Sequence, residues 1–167
     1  GAIPVVANID ESLTLSLEDV KELLSPETKA IIAVHMDGLS CDLQGLRELC
    51  DEQNLTLIED CAQALGGSYQ GRRLGSIGEF GCFSLNQDKV LSCGEGGFVT
   101  TQRREHYEKV LCLSDSAYSF SPHHQDTFQE VTPHLGHSMR VSEISGAIMR
   151  EQLKKLGTLL GDYRSRK

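Results

Sequence analysis

The 167 residues suffice for one globular domain and are too few for two of ordinary size. Sixteen Lys+Arg against 24 Asp+Glu leave a net charge of −8, which repels a phosphate backbone, and the one basic cluster, Arg164, Arg166 and Lys167, is terminal and small, so no nucleic-acid partner is expected. No run approaches the roughly 18 to 20 apolar residues of a membrane span, so no membrane partner is expected either.

The first residues, GAIPVVANID, carry no basic n-region, no long apolar core and no initiator Met. The six cysteines, Cys41, Cys50, Cys61, Cys82, Cys93 and Cys112, show neither a C-x-x-C pair nor a regular spacing. They read as reduced, small hydrophobic residues of a cytoplasmic protein.

In chain order, Val5 to Ile9 predicts a short strand. Ser16 to Leu24 predicts a helix, with a serine cap, Glu18 and Asp19 in the first turn, and helical apolar spacing. Lys29 to His35 is a continuous apolar run of strand length. Asp42 to Gln53 predicts a helix capped by its acid, with Leu43, Leu46, Leu49 and Cys50 on one face, and Leu55 to Asp60 predicts the next strand. Continuous apolar strands alternating with amphipathic helices require a parallel sheet buried on both sides. The expected class is therefore α/β, a three-layer arrangement with helices on both faces of the sheet.

After a Gly-rich stretch from Gly66 to Gly78, Phe80 to Leu85 and Gly97 to Thr101 predict two more strands. Arg103 to Leu113 and Ser142 to Leu160 predict helices, the second as one continuous element. Between them, Ser114 to Ser138 is polar, rich in histidine and without periodicity; a connection of that length is usually functional. His123, His124, His134 and His137 lie within it at spacings that match no closed zinc pattern, so no metal site is expected.

In an open parallel sheet, ligands sit beyond the carboxyl ends of the strands. Here those ends carry His35, Asp60 and the polar break from Ser84 to Lys89. Each has an ordinary reading. A lone lysine is usually a solvated surface group; Asp60 can cap a turn, and Ser84 can bond its own backbone. His35 either lines a pocket or is a satisfied core histidine. Gly94 to Gly97 serves either as a turn or as a phosphate loop, and Cys93, without a positioned histidine, reads as packing.

Taken together, the segment IEDCAQALGGSYQGRRLGSIGEFGCFSLNQDKVLSCGEGGFVTT closely resembles the core of the DegT/DnrJ/EryC1/StrS family, pyridoxal-phosphate sugar aminotransferases of the type I aminotransferase fold. Upstream, LSPETKAIIAVHMDGLSCDLQGLRELCDEQNL resembles the strand and helix preceding the family's acidic motif. Downstream, GHSMRVSEISGAIMREQLKKL resembles its later G-x-N-x-R-M segment. The resemblance runs from about Ile3 to Leu160, with several motifs in the family's order.

It implies pyridoxal 5′-phosphate as cofactor and a role for each matching residue. Lys89 matches the Schiff-base lysine, which also moves the proton between substrate and cofactor. Asp60 matches the carboxylate that keeps the cofactor's ring nitrogen protonated. Gln63 matches the residue contacting the ring or its phenolic oxygen, and Ser84 a hydroxyl donor to the phosphate. Ser138 stands where the family usually has an asparagine reaching the partner subunit's phosphate; a serine there reaches less far. A lysine at position 89 implies transamination, because family members with histidine in its place remove a sugar hydroxyl instead.

The resemblance thus implies amino transfer from glutamate or glutamine to a keto group of a nucleotide-linked sugar or cyclitol, by a homodimer. Family chains are longer than this one. Against them, residues 1 to 167 are expected to form an incomplete large, cofactor-binding domain, without the upstream phosphate-loop segment and the small C-terminal domain. The competing expectation is a truncated, inactive homologue that serves as a binding or assembly module. A nucleotide-binding Rossmann protein would need a glycine fingerprint after its first strand, and Val5 to Ser16 has none.

Overall fold

The computed structural model describes residues 1–115 and 127–166. The chain divides into two compact units, Gly1–Ser84 and Leu85–Lys167.

In the first unit, helix α1 spans Leu17–Leu23, strand β1 Ala30–Val34, helix α2 Leu43–Gln53 and strand β2 Thr56–Asp60. Two-residue strands β3 (Ser68–Tyr69) and β4 (Arg72–Arg73) follow, then β5 (Phe80–Ser84). Both helix starts are fixed by side-chain caps that satisfy an otherwise orphaned amide. The Ser16 hydroxyl accepts the Asp19 N–H at 3.3 Å, and the Asp42 carboxylate accepts the Gly45 N–H at 3.2 Å. Helix α2 stops at Asn54, which adopts the left-handed conformation that ends many helices.

Strands β1, β2 and β5 pair in parallel. Val34 lies opposite Asp60, and Asp60 opposite Cys82. Burial on β1 alternates: Ile31 and Ala33 are buried, while Ile32 and Val34 are exposed. The buried face continues through Leu57 and Glu59 of β2 and joins one core cluster with Leu43, Leu46, Leu49 and Cys50 of α2. Each such leucine contributes about 1.5–3 kcal/mol by leaving water. The β1–β2 crossover places α2 against this face, β2 runs on to β5 through the β3–β4 segment, and the class is α/β as the sequence predicts.

The predicted strand over Val5–Ile9 does not form. Its only pairing among the described residues is a single bridge from Ile9 to Leu15, and Val5 and Val6 stay exposed. A strand needs a neighbour to take its alternate amides, and no other described segment supplies one. The Gly-rich stretch contains an unforeseen hairpin, β3 with β4, turned at Gln70 and Gly71. Both have positive φ, 48° and 80°, the backbone pair that two-residue hairpin turns favour.

In the second unit, strand β6 spans Gly97–Thr100 and helix α3 Arg104–Ser114. The single helix predicted over Ser142–Leu160 is two, α4 (Glu143–Leu153) and α5 (Leu156–Ser165). At the junction the Lys155 N–H turns to the Gln152 carbonyl, three residues back instead of four, at 2.9 Å. The Ser142 cap is as predicted, its hydroxyl accepting the Ser145 N–H at 3.1 Å. Among the described residues no helix is long and apolar enough to cross a membrane.

Candidate active site

Asp60 is the last residue of β2, held on both sides. Its carbonyl accepts the His35 N–H at 3.0 Å, and the next amide, that of Cys61, donates to the Cys82 carbonyl at 2.8 Å. The Asp60 carboxylate closes an Asx turn, with Oδ1 accepting the Ala62 N–H at 3.0 Å. Oδ2 has no hydrogen-bond partner among the described residues. Asp60 is only partly buried, so that oxygen is an acceptor held in place and not spent.

Strand register brings Ser84 to the same side. Parallel partners face one way and side chains alternate along a strand, so Asp60, Cys82 and Ser84 share one face at the carboxyl ends of β2 and β5. Ser84 is partly buried. Gln63 joins the turns after β1 and β2: its Oε1 accepts the Asp37 N–H at 2.9 Å, which leaves its amide N–H groups to donate elsewhere. Asp37 has a φ of 52°, so this hydrogen bond braces a residue in the left-handed region.

The second unit holds Lys89 and Ser138. Lys89 is partly buried in a loop that leaves and re-enters the structure at Leu85. Leu85 donates to the Gly96 carbonyl at 2.9 Å and accepts the Cys93 N–H at 3.1 Å. Within the loop the Lys89 N–H closes a turn onto the Asn86 carbonyl at 3.1 Å, and the Asn86 amide donates to both Glu95 carboxylate oxygens at 3.0 and 3.1 Å. The Lys89 ammonium has no hydrogen bond or ion pair among the described residues. Ser138 is exposed, and its backbone neighbours His137 and Met139 donate to the Leu113 and Ser114 carbonyls at the end of α3.

The core reading of His35 holds. It is 0% exposed; Nδ1 accepts the Cys41 N–H at 3.3 Å, and Nε2 meets the Glu59 carboxylate at 3.2 Å. With Nδ1 an acceptor, the ring proton sits on Nε2 and is given to Glu59. Glu59 also takes the Gly75 N–H at 2.7 Å, the Ile77 N–H at 2.6 Å and the Gly78 N–H at 2.7 Å. Burial opposes its charge, but the His35 and backbone hydrogen bonds outweigh that and hold its carboxyl below the ordinary range. Ligand-type atoms of His35, Glu59 and Cys61 lie within 4.8 Å of one another. Both Glu59 oxygens and both His35 ring nitrogens are already engaged, so the trio is a hydrogen-bonded core.

Sequence reasoning passed over Glu59 and its counterpart Glu108 on α3. Glu108 is 0% exposed and accepts the Gln129, Glu130 and Val131 amides and the Arg104 Nε–H. Burial again works against the charge, and the amides with Arg104 more than compensate, holding the carboxyl down to about 2. Of the histidines weighed as metal ligands, His123 and His124 lie outside the described residues. The exposed His134 and His137 join no ligand cluster among the described ones. All six cysteines are free thiols, and burial raises Cys50, Cys61 and Cys82.

The parallel α/β sheet is that of the type I aminotransferase fold, which the chain shares with solved aminotransferase structures. The chain belongs to the DegT/DnrJ/EryC1/StrS aminotransferase family, whose model matches residues 1–165. It is 46% identical over 116 residues to GDP-perosamine synthase of Vibrio cholerae, an alignment covering 69% of this chain and 32% of that protein. It is 37% identical over 164 residues to L-glutamine:2-deoxy-scyllo-inosose aminotransferase of Streptomyces kanamyceticus, covering 93% of this chain and 38% of the relative. Among solved structures, the aminotransferase from Psychrobacter cryohalolentis superposes with a TM-score of 0.83 at 37% identity, over 93% of this chain and 41% of that one. The chain thus spans about a third to two fifths of the length of the relatives it matches.

Proposed function

We propose that the chain is the central part of a pyridoxal-phosphate aminotransferase that moves an amino group from glutamate or glutamine to a keto group on a nucleotide-linked sugar or cyclitol. The observation that carries this reading is Asp60: a partly buried strand-end carboxylate with one oxygen fixed by Ala62 and the other unspent, inside the family's motif. The related GDP-perosamine synthase and glutamine-dependent inosose aminotransferase support both substrate classes.

When bound, pyridoxal 5′-phosphate supplies an aldehyde that takes up amines and a ring that accepts the electron pair released at the substrate carbon. Asp60 Oδ2 would keep a proton on the ring nitrogen. Lys89 would hold the cofactor through its aldehyde, and its amine would carry a proton at the substrate Cα. The Ser84 hydroxyl would donate to the phosphate, and an amide N–H of Gln63 would donate to the ring's phenolic oxygen. Ser138 stands where the family's asparagine would reach a second copy's phosphate, with a shorter side chain for that contact, and the working form proposed is a homodimer.

The test is spectroscopic. The chain titrated with pyridoxal 5′-phosphate is expected to develop the visible absorbance of covalently held cofactor. Lys89→Ala is expected to abolish it, and Asp60→Asn to keep it with a displaced pH midpoint. A wild-type chain that stays colourless yet self-associates would replace the enzyme reading with the assembly module.

A further inference from the structure

We infer that Glu59 is a positioning residue for Asp60, an inference that rests on the role proposed for Asp60 above. The two are consecutive on β2, so their side chains leave opposite faces of the strand. Asp60 is held through its main chain, and the groups that hold it converge on the Glu59 carboxylate. His35 gives its backbone N–H to the Asp60 carbonyl at 3.0 Å and sets its ring against Glu59 at 3.2 Å. The other edge of the Asp60–Cys61 peptide is held by β5, and the segment leading into β5 is bound to Glu59 through the amides of Gly75, Ile77 and Gly78. One carboxylate therefore ties the end of β1, the end of β2 and the entry to β5.

The arrangement leaves little room to drift. At Gly75, with φ of 81°, a Cβ would stand 2.3 Å from the Phe83 ring, and at Gly78 one would stand 2.5 Å from the Leu57 carbonyl. The 75–78 segment is thus pressed against both β5 and β2 while its amides point at Glu59.

The charge is needed because four N–H donors converge on two oxygens. A glutamine at position 59 offers one oxygen and one NH₂ group. Placing the oxygen toward Ile77 and Gly78 turns the NH₂ toward Gly75 and His35, donor against donor. Flipping the His35 tautomer relieves one conflict and creates another, because Nδ1–H then faces the Cys41 N–H. Relief requires moving the strand ends, and Asp60 moves with them.

The test compares the full chain with Glu59→Gln, His35→Gln and Asp60→Asn, each with and without pyridoxal 5′-phosphate. In the loaded protein, Glu59→Gln is expected to retain the reducible covalent adduct at Lys89. Its visible-absorbance pH midpoint should move about one unit in the direction seen for Asp60→Asn, a tenfold change in proton affinity. In the unloaded protein, the Asp60 and Ala62 amide resonances are expected to shift in Glu59→Gln. His35→Gln, which keeps the backbone N–H to Asp60 but loses the ring, should shift both readouts in the same direction by less, and it decides the matter if Glu59→Gln does not fold. A lowered urea midpoint with unchanged Asp60 and Ala62 resonances and an unchanged pH midpoint would overturn the inference, leaving Glu59 as core structure only. If the wild type takes up no cofactor, the proposed function fails, and the unloaded resonances still decide the role of Glu59.

Discussion

Glu59 and Glu108 solve one problem in two ways. Both carboxylates are 0% exposed and accept three backbone amides, because an ionised acid out of water must have its lone pairs filled. Glu59 draws every partner from buried or partly buried groups: His35 on one side and the 75–78 segment on the other. Glu108 is completed by a cation with access to water, Arg104, one turn back on α3, at 2.8 Å. Arg104 also donates to the Thr127 carbonyl at 2.8 Å, so the second clasp ties α3 to residues 127–131. The first clasp is a core element behind a strand end; the second is a partly solvated fastening. Loss of the first should cost global stability, and loss of the second should be local.

The largest effect is expected at the core clasp. Glu59→Ala leaves three amides and an imidazole N–H buried without an acceptor, and should cost about 3–5 kcal/mol in urea unfolding. A cost below about 1 kcal/mol would mean that water or rearrangement replaces the carboxylate, and the contrast with Glu108 would collapse.

The second effect is acid loosening of the Glu108 clasp. The Glu108 carboxyl lies near 2, below its ordinary value of 4.5. A depressed folded value means that ionised Glu108 stabilises the fold fully above the ordinary value and that this contribution is lost as pH falls from 4.5 through about 2. Hydrogen exchange should show the amides of Gln129, Glu130 and Val131 losing protection across that window, while Glu108→Gln removes the pH dependence.

The smallest effect concerns helix α4, whose residues include none that are buried, whereas α2 buries Leu43, Leu46, Leu49 and Cys50. Ser142→Ala removes only a cap and should cost about 1 kcal/mol, seen as fraying of Glu143–Ser145 by hydrogen exchange with no change in the urea midpoint. A lowered midpoint would show that α4 is coupled to the core.

Much of this was legible in the sequence where local chemistry decides structure. The caps at Ser16, Asp42 and Ser142 and the apolar face of α2 depend on side-chain spacing alone. The Val5–Ile9 strand was misread because pairing depends on a partner that the run itself does not reveal. The break between α4 and α5 fell at Lys154 and Lys155, good helix formers that give no stop signal. Asp60 and Ser84 were legible as strand-end residues because the apolar runs of β2 and β5 stop there. Glu59 and Glu108 were not, because a glutamate is expected in water and only the fold shows where donors converge.

The proposed activity requires Lys89 to be the amine that takes up the cofactor. The direct measurement is borohydride reduction of the chain with pyridoxal 5′-phosphate, followed by peptide mass mapping. One stoichiometric adduct on the peptide containing Lys89, absent when the cofactor lacks its aldehyde, is the expected result. Adducts spread over Lys21, Lys29 and the Lys154–Lys155 pair between α4 and α5, with none preferred at Lys89, would contradict it.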